Sequence, residues 1–267
     1  MLAGCITALL GGALVGSISP ALVVARSVTF SITLLHSVLA GGLVGVFLTD
    51  VVHAPIPPVV TATLISILIS IITAEAINRG FPEDSAVATS VCISVTMTVT
   101  LTYYLSFMSP LGVSRAMSYV FGTSALTTPR DIARLAATVI LVIPLVHMFW
   151  SEIKYVFFDP EGAYSMGLRV RYYRYLLYAL TAATATSLAM SLGVLVSHVI
   201  LAAPGLLAVR LSAKKIHAIA YASSIAVMLL GYIAALLLEL PPSAGVGIFA
   251  SLIVIYALVG VKKWSIH

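Results

Sequence analysis

Long apolar stretches, each interrupted by charged residues or prolines, dominate the pattern of this 267-residue chain. A helix needs roughly 20 apolar residues to cross about 30 Å of hydrocarbon. The pattern therefore predicts nine membrane-spanning helices, or eight if the very short turn at Leu192-Gly193 does not divide two of them. The predicted spans are 2–24, 30–49, 57–78, 85–106, 131–150, 171–191, 193–211, 216–238 and 246–261.

Glycine pairs four residues apart occur in the first two spans, at Gly12 and Gly16 and at Gly41 and Gly45. Small residues at this spacing let two helices approach closely. Because such pairs are common in membrane helices, we expect them to serve packing within the chain.

Composition excludes most soluble classes. Hydrophobic residues make up 61% of the chain and charged residues 9%, against about 45–50% and about 25% in soluble domains. The mean hydropathy is +1.13, so too few polar groups are present to cover a globule in water. We therefore predict an all-α, polytopic integral membrane protein, and neither a soluble enzyme nor a nucleic-acid binder.

Basic residues are distributed unequally between the predicted connections, and this sets the expected orientation. An N-terminus outside the cell and a cytoplasmic C-terminus put 11 of the 14 Lys and Arg residues inside, including Lys262 and Lys263. Arg115, Arg130 and Arg134 then lie outside. The opposite orientation would violate the positive-inside rule. No basic residue precedes the first apolar stretch, so we expect a retained span and not a secretory signal.

Two connections between spans are longer than the rest, an outer one at 107–130 and an inner one that contains the signals of a short helix over 159–168. Asp159 is a good N-cap with favourable charge, Pro160 suits the first turn, and Gly167 suits the end of a helix. On the cytoplasmic face such a helix is either an interfacial linker or a docking element for a soluble partner.

The chain lacks the motifs of several enzyme classes. It contains no Gly-x-x-x-x-Gly-Lys-Ser/Thr phosphate loop, no His-Glu-x-x-His metalloprotease motif and no Gly-x-Ser-x-Gly nucleophile motif. Acidic residues do not pair within any predicted span, which argues against a proton pump. We therefore predict a passage for a solute, not an enzyme, with energy supplied from elsewhere.

Polar residues at membrane depth are candidates for that passage, since burying them is costly unless function or pairing compensates. His36 and His198, on separate spans, could converge on one cation. His147 is expected to be a lone, hydrogen-bonded structural histidine. The residues at outer helix ends that could form a weakly binding entrance for cations are Asp50, His53 and Glu239.

Four stretches together carry a family pattern. They are Leu-His-Ser-Val-Leu-Ala-Gly at 35–41, Glu-Asp-Ser-Ala-Val-Ala at 83–88, Ser-Tyr-Val-Phe-Gly at 118–122 followed by Asp131, and a run at 158–168 that continues at 193–197, 203–204 and 239–242. In order and spacing over nearly the whole chain, they resemble the permease subunits of ATP-binding-cassette (ABC) importers for zinc and manganese. Each piece alone is weak, and their combination makes the likeness specific.

The resemblance implies one transmembrane permease domain over 1–267, which forms a homodimer with the translocation path on its two-fold axis. It implies a separate ABC ATPase dimer that hydrolyses ATP and an extracytoplasmic solute-binding protein that delivers the metal. It also implies import of zinc or manganese through the plasma membrane, with no cofactor bound by this chain. The 159–168 helix would then couple permease to ATPase, through Asp159, Pro160, Glu161 and Gly167.

The sequence departs from the family at one informative position. The family commonly has an aspartate four residues before the matched histidine, and Ile32 stands there. Since residues one helical turn apart share a face, His36 has lost a natural partner, and His198 could replace it. Two nitrogen ligands would favour zinc over manganese. The alternatives are a metal chelate or other small solute as cargo, or a secondary transporter that works without an ATPase.

Overall fold

The computed structural model describes residues 2–109, 111–114 and 128–259, and within these ranges the regular structure is helical, without a β-strand. The all-α prediction is therefore confirmed. The 118–122 stretch, most of the predicted outer connection at 107–130, and Lys262 and Lys263 lie outside the described residues. The α-helices are α1 (Leu2–Val24), α2 (Val28–Asp50), α3 (Pro58–Asn78), α4 (Glu83–Met108), α5 (Pro129–Met148), α6 (Trp150–Phe158), α7 (Pro160–Ser165), α8 (Val170–Leu192), α9 (Val194–Ile200), α10 (Ala203–Leu211), α11 (Ile216–Leu237) and α12 (Pro242–Val259).

Seven helices in the described ranges are long and apolar enough to cross a membrane. They are α1 to α5, α8, and α11 together with the 3-10 turn Ala213–Lys215 that precedes it. These seven coincide with seven of the predicted spans. The other two predicted spans correspond to shorter apolar helices, the 18-residue α12 and the interrupted pair α9 and α10. The total of nine spans therefore stays a prediction.

Helices α1 and α8 form the centre of the bundle. In each, 72% of the most apolar window is buried, against 17% in α4 and in α5. Helix α1 packs against α5, α10 and α11, and α8 packs against α2, α3 and α5. Large apolar side chains such as Val99 on α4 and Ile140 on α5 point outward. The periphery is therefore suited to lipid or to another membrane chain.

The predicted glycine pairs explain two close helix contacts. A Cβ atom added at Gly12 would lie 2.8 Å from Ile225 Cα, and one added at Gly41 would lie 2.7 Å from Ala62 Cα. Helix α1 thus approaches α11, and α2 approaches α3, at separations that require glycine. Packing within the chain, as expected for these pairs, is confirmed.

The seventh predicted span, 193–211, is not one continuous helix. Gly193, with φ of +92°, separates α8 from α9, and a second break at Leu201 and Ala202 separates α9 from α10. Buried Ser19 of α1 bridges this second break, because its Oγ accepts from the Gly205 N–H at 2.7 Å and donates to the Ala202 carbonyl at 3.4 Å. Backbone groups freed inside a membrane must find partners of this kind. Ser19 therefore ties the break to the centre of the bundle.

One end of the bundle, which we call the basic end, holds the connections 25–27, 79–82, 149–169 and 212–215. There, Arg79 Nε donates to Glu75 Oε1 at 2.7 Å at the end of α3, and the Tyr175 hydroxyl of α8 donates to the same carboxylate and so joins the two helices. At the opposite end, Ser109 Oγ donates to Asp50 Oδ2 at 3.2 Å. The two ends therefore differ in charge as well as in connectivity.

Two short helices, α6 and α7, fill the basic-end connection between α5 and α8, where the sequence pattern predicts only the second. Ile153 and Val156, three residues apart, are fully buried at 0% exposure, while Phe158 is 85% exposed. One face of α6 thus packs on the bundle and the other projects from it. The pattern missed α6 because its nine residues are too few to show a clear helical period.

Candidate metal site

The structure brings His36 and His198 together. His36 lies on α2 and His198 on α9, and their ring centroids are 5.8 Å apart with the planes inclined by 70°. Both side chains are half-buried. His198 Nδ1 lies 2.8 Å from the Val194 carbonyl oxygen, which can only accept, so in the neutral ring Nδ1 carries the proton and Nε2 keeps a free lone pair. This is the arrangement by which a histidine ligand is oriented for a metal.

The separation of the two rings is close to what one shared ion requires. With Zn–N bonds of about 2.1 Å and a tetrahedral angle, two ligating imidazoles have centroids roughly 5 Å apart. The observed 5.8 Å is within a small side-chain rotation of this value. The two rings, hereafter the inner pair, can therefore supply two nitrogen ligands to one transition-metal ion.

The described part of one chain does not complete a metal site at the inner pair. No group of three His, Cys, Asp or Glu residues in that part is close enough to hold one ion. Asp50, His53 and Glu239 accordingly form no such group, although each lies at an end of a helix or in a connection, as predicted. His53 and Glu239 are exposed and have positive φ angles of 59° and 53°. Their role as an entrance stays a prediction.

The short helix expected over 159–168 is present as α7. Asp159 Oδ1 accepts from the Gly162 N–H at 2.9 Å, which caps the first turn. Gly167 has φ of +82°, and the N–H groups of Gly167 and Leu168 donate back into the helix at 3.0 Å each. This pattern is a Schellman termination, which needs a residue that tolerates the left-handed conformation. The local signals in the sequence were therefore sufficient to locate both ends of α7.

Helix α7 borders an open groove of about 1310 Å³ at the basic end. Pro160, Glu161 and Tyr164 line one side, and Gly80 at the end of α3 also faces it. The first turns of α8 contribute basic side chains, among them Arg171 and Arg174. The groove is large enough to accept a segment of another protein chain.

His147 is not the lone histidine that the sequence suggests. Its Nδ1 lies 2.9 Å from the Ile143 carbonyl oxygen, so the expected hydrogen bond is confirmed. The side chain is exposed, however, and its ring centroid lies 4.7 Å from that of His217. Sequence reasoning missed His217, although its position two residues after Lys215 places it at the same end of the spans as His147.

Fold and site together define a polytopic membrane permease with two half-buried histidines of separate helices close to each other. The sequence matches the ABC 3 transport family over residues 1–261, and the chain belongs to this family. It is thus a membrane-spanning subunit of an ABC transporter and a multi-pass protein of the plasma membrane.

Known proteins similar to this chain agree with that assignment. A protein of Thermotoga maritima named probable metal transport system membrane protein is 28% identical over 137 residues, so that the match spans 50% of this chain and 48%, about half, of the relative. The structure of PsaBC from Streptococcus pneumoniae in complex with Fab has a TM-score of 0.79 at 17% identity, covering 97% of this chain and 91% of that chain. A structure assigned to a metal-chelate type ABC transporter, in an inward-facing conformation, has a TM-score of 0.74 at 14% identity, covering 97% and 86%. At these identities the two structures show a shared fold.

Proposed function

We propose that the chain is the membrane subunit of an ATP-driven importer for a divalent transition-metal ion. The observation that carries the proposal is the approach of His36 and His198, two imidazoles on different helices within 5.8 Å of each other. An ion that leaves water for the low-dielectric core needs protein ligands in exchange. Imidazole nitrogens provide such ligands for transition metals.

A second copy of the chain would complete the coordination. The described residues of one chain hold no third ligand beside the inner pair, and tetrahedral zinc takes four. A homodimer with the path on its two-fold axis would bring two inner pairs to one place, giving four imidazoles. This dimer is a proposal supported by the incomplete site.

Zinc is the metal that this ligand set favours. Manganese prefers carboxylate and water oxygens, whereas imidazole suits zinc. The residue one turn before His36 is Ile32 and not an aspartate, which removes an oxygen ligand from the family pattern. We therefore propose zinc over manganese as the cargo.

An ABC ATPase dimer would dock at the basic end and a solute-binding protein at the other. The capped helix α7 and the adjoining groove support the first assignment, because together they offer a projecting element and a receptive surface. Asp159, Pro160, Glu161 and Gly167 would act here by setting the shape of α7. Hydrolysis of ATP would take place on the partner chain.

We further propose nine spans, with the N-terminus outside and the basic end in the cytoplasm. The distribution of Lys and Arg supports this orientation. Single cysteines introduced at Pro55 and Ser265 test it in intact cells with a membrane-impermeant reagent. We expect labelling at position 55 alone, and labelling at 265 alone would reverse the orientation.

A metal chelate is a second candidate cargo. The 14%-identical structure of a metal-chelate type transporter and the missing third ligand favour it, because a chelated ion brings its own ligands. Membership of an ABC family argues against the third possibility, a secondary transporter.

The test is ATPase activity of the complex assembled with its ATPase, measured with zinc, manganese, iron, a metal chelate and no metal. We expect the largest stimulation with zinc, and its loss in the His36→Ala variant. Ser31→Ala, on the same helix as His36 but with a hydroxyl that donates within that helix to Val28, is the matched control and should keep it. Stimulation by a chelate alone would favour the second candidate, and activity without any ATPase chain would contradict the ABC mechanism.

A further inference from the structure

A second pair of histidines, hereafter the basic-end pair, lies apart from the inner pair. His147 is in the last turn of α5 and His217 in the first turn of α11. Their ring centroids are 4.7 Å apart and the ring planes are inclined by 38°. His147 is exposed and His217 half-buried, so the pair opens to the surface of the bundle through His147.

Each of the two rings keeps a nitrogen lone pair that no described residue occupies. The Ile143 carbonyl oxygen, 2.9 Å from His147 Nδ1, can only accept, so the neutral ring keeps a lone pair on Nε2. Both ring nitrogens of His217 are buried without a hydrogen-bond partner among the described residues. Buried polar atoms are rarely left in this state, because their lost hydration is not replaced. A metal ion bound to His217 would supply the missing partner for one nitrogen.

Aromatic side chains hold the two rings in place. The Trp150 ring meets His217 edge to face with centroids 4.3 Å apart, and Tyr221 lies nearly parallel to His147 at 5.8 Å. Rings that are already positioned lose little freedom when they bind an ion. Their separation of 4.7 Å is also close to the roughly 5 Å expected for two imidazoles on one tetrahedral zinc.

The surroundings make binding at this pair weak and reversible. Among the described residues no third His, Cys, Asp or Glu joins the two, so water would complete the coordination. Lys154 Nζ lies 5.3 Å from the centroid of the Trp150 ring that touches His217, and its positive charge repels a cation. A site of this kind suits an ion in transit better than a permanently bound one.

We propose that His147 and His217 form a second transition-metal site at the basic end, which takes a divalent ion such as zinc. Its role as a release station for transported metal rests on the proposed function. Binding of the ion to the basic-end pair does not, because it depends on these two residues alone.

Cobalt binding to the purified full-length chain in detergent tests the site. Co²⁺ replaces zinc, and its visible absorption reports nitrogen ligands. In a His36→Ala, His198→Ala background we expect one remaining site, whose affinity falls at least about tenfold when His147→Ala or His217→Gln is added. Ser223→Ala, on the same helix as His217 but with a hydroxyl that donates within that helix to Ala220, is the matched control and should leave affinity unchanged. Absence of cobalt binding in the folded background variant, or unchanged affinity after both substitutions, would overturn the proposal.

A second measurement needs no substitution and so does not depend on the folding of any variant. Diethyl pyrocarbonate modifies free imidazole nitrogens, and mass spectrometry locates the modified residues. We expect zinc to protect the exposed His147, whose reaction with the reagent does not depend on the buried nitrogens of His217. Failure of zinc to protect His147 would contradict the basic-end site, even if His36 and His198 were protected. Protection of His147 without protection of His36 and His198 would contradict the proposed inner site and leave the basic-end site standing.

Discussion

The inner pair and the basic-end pair use the same side chain in two different surroundings. His36 lies on α2, which is long and apolar enough to span a membrane, and His198 on the short helix α9; both are half-buried, and no third His, Cys, Asp or Glu among the described residues joins them in a metal-binding group. His147 and His217 lie at helix ends, beside aromatic rings and near a lysine. An ion in the low-dielectric interior depends on its protein ligands, while an ion at the boundary can keep water and leave easily. We therefore expect the inner pair to bind the ion tightly and the basic-end pair to bind it weakly.

The largest expected effect comes from removing the inner pair. His36→Ala should abolish zinc uptake and His198→Ala should lower it at least about tenfold, because each removes a nitrogen ligand that no described neighbour replaces. Uptake of radioactive zinc by cells that also express the ATPase measures both. Glu239→Gln, at an exposed position, should lower the apparent affinity only. Full uptake by a well-folded His36→Ala, His198→Ala variant would contradict a role for the inner pair.

A strong effect that leaves both histidine pairs intact is expected at Gly167. No atom lies within 4 Å of a Cβ added there, so Gly167→Trp should fold but present bulk to a docked ATPase. ATP hydrolysis should then no longer drive uptake, while cobalt binding to the chain stays normal. Gly167→Ala is the control, since it carries the same left-handed strain of about 1 kcal/mol without the bulk. Normal transport by Gly167→Trp would show that α7 is not the docking element.

A smaller effect, confined to the inner pair, is expected at the break in the seventh span. Ser19→Ala leaves the buried Gly205 N–H without its acceptor, which costs about 1–3 kcal/mol of stability. Because the break follows directly after α9, cobalt affinity should fall at the inner pair and not at the basic-end pair. Thermal unfolding and cobalt titration measure the two effects. Ser31→Ala, where the hydroxyl donates within its own helix to Val28, should change either quantity less, and equal effects of the two substitutions would contradict the bridging role of Ser19.

The smallest effect on uptake is expected from His147→Ala. The basic-end pair is weak and open to water, so its loss should slow uptake less than about threefold, near the range of exposed substitutions. Stability should change more, since His147 also packs against Tyr221. Parallel measurement of uptake and unfolding temperature decides this. Loss of uptake as complete as in His36→Ala would show that both pairs contribute equally to uptake and would contradict the difference proposed between them.

Features encoded by neighbouring residues were predicted well. The first span was expected at 2–24 and is Leu2–Val24. Its apolar residues favour the hydrocarbon and the charged residue that follows them stays outside it, so both ends can be placed from the sequence. The short helix after Asp159 was predicted for a similar reason, since an N-cap, a proline and a glycine act within a single turn of their position. The helix α6 was missed because it is too short to show a helical period. The break at Leu201 and Ala202 was missed because the residues from Val199 to Ala203 are all apolar and mark no boundary.

From its sequence alone, this protein could be assigned to the membrane, to the helical class and to a likeness with metal permeases. Whether His36 met His198, and whether His147 was alone, depended on the tertiary structure. These pairs join residues far apart in the chain: His36 of α2 meets His198 of α9, and His147 of α5 meets His217 of α11. Apolarity determines that a segment lies in the membrane but not which of its neighbours it touches, since lipid and protein interior are equally apolar. Helix packing therefore decided which histidines became neighbours.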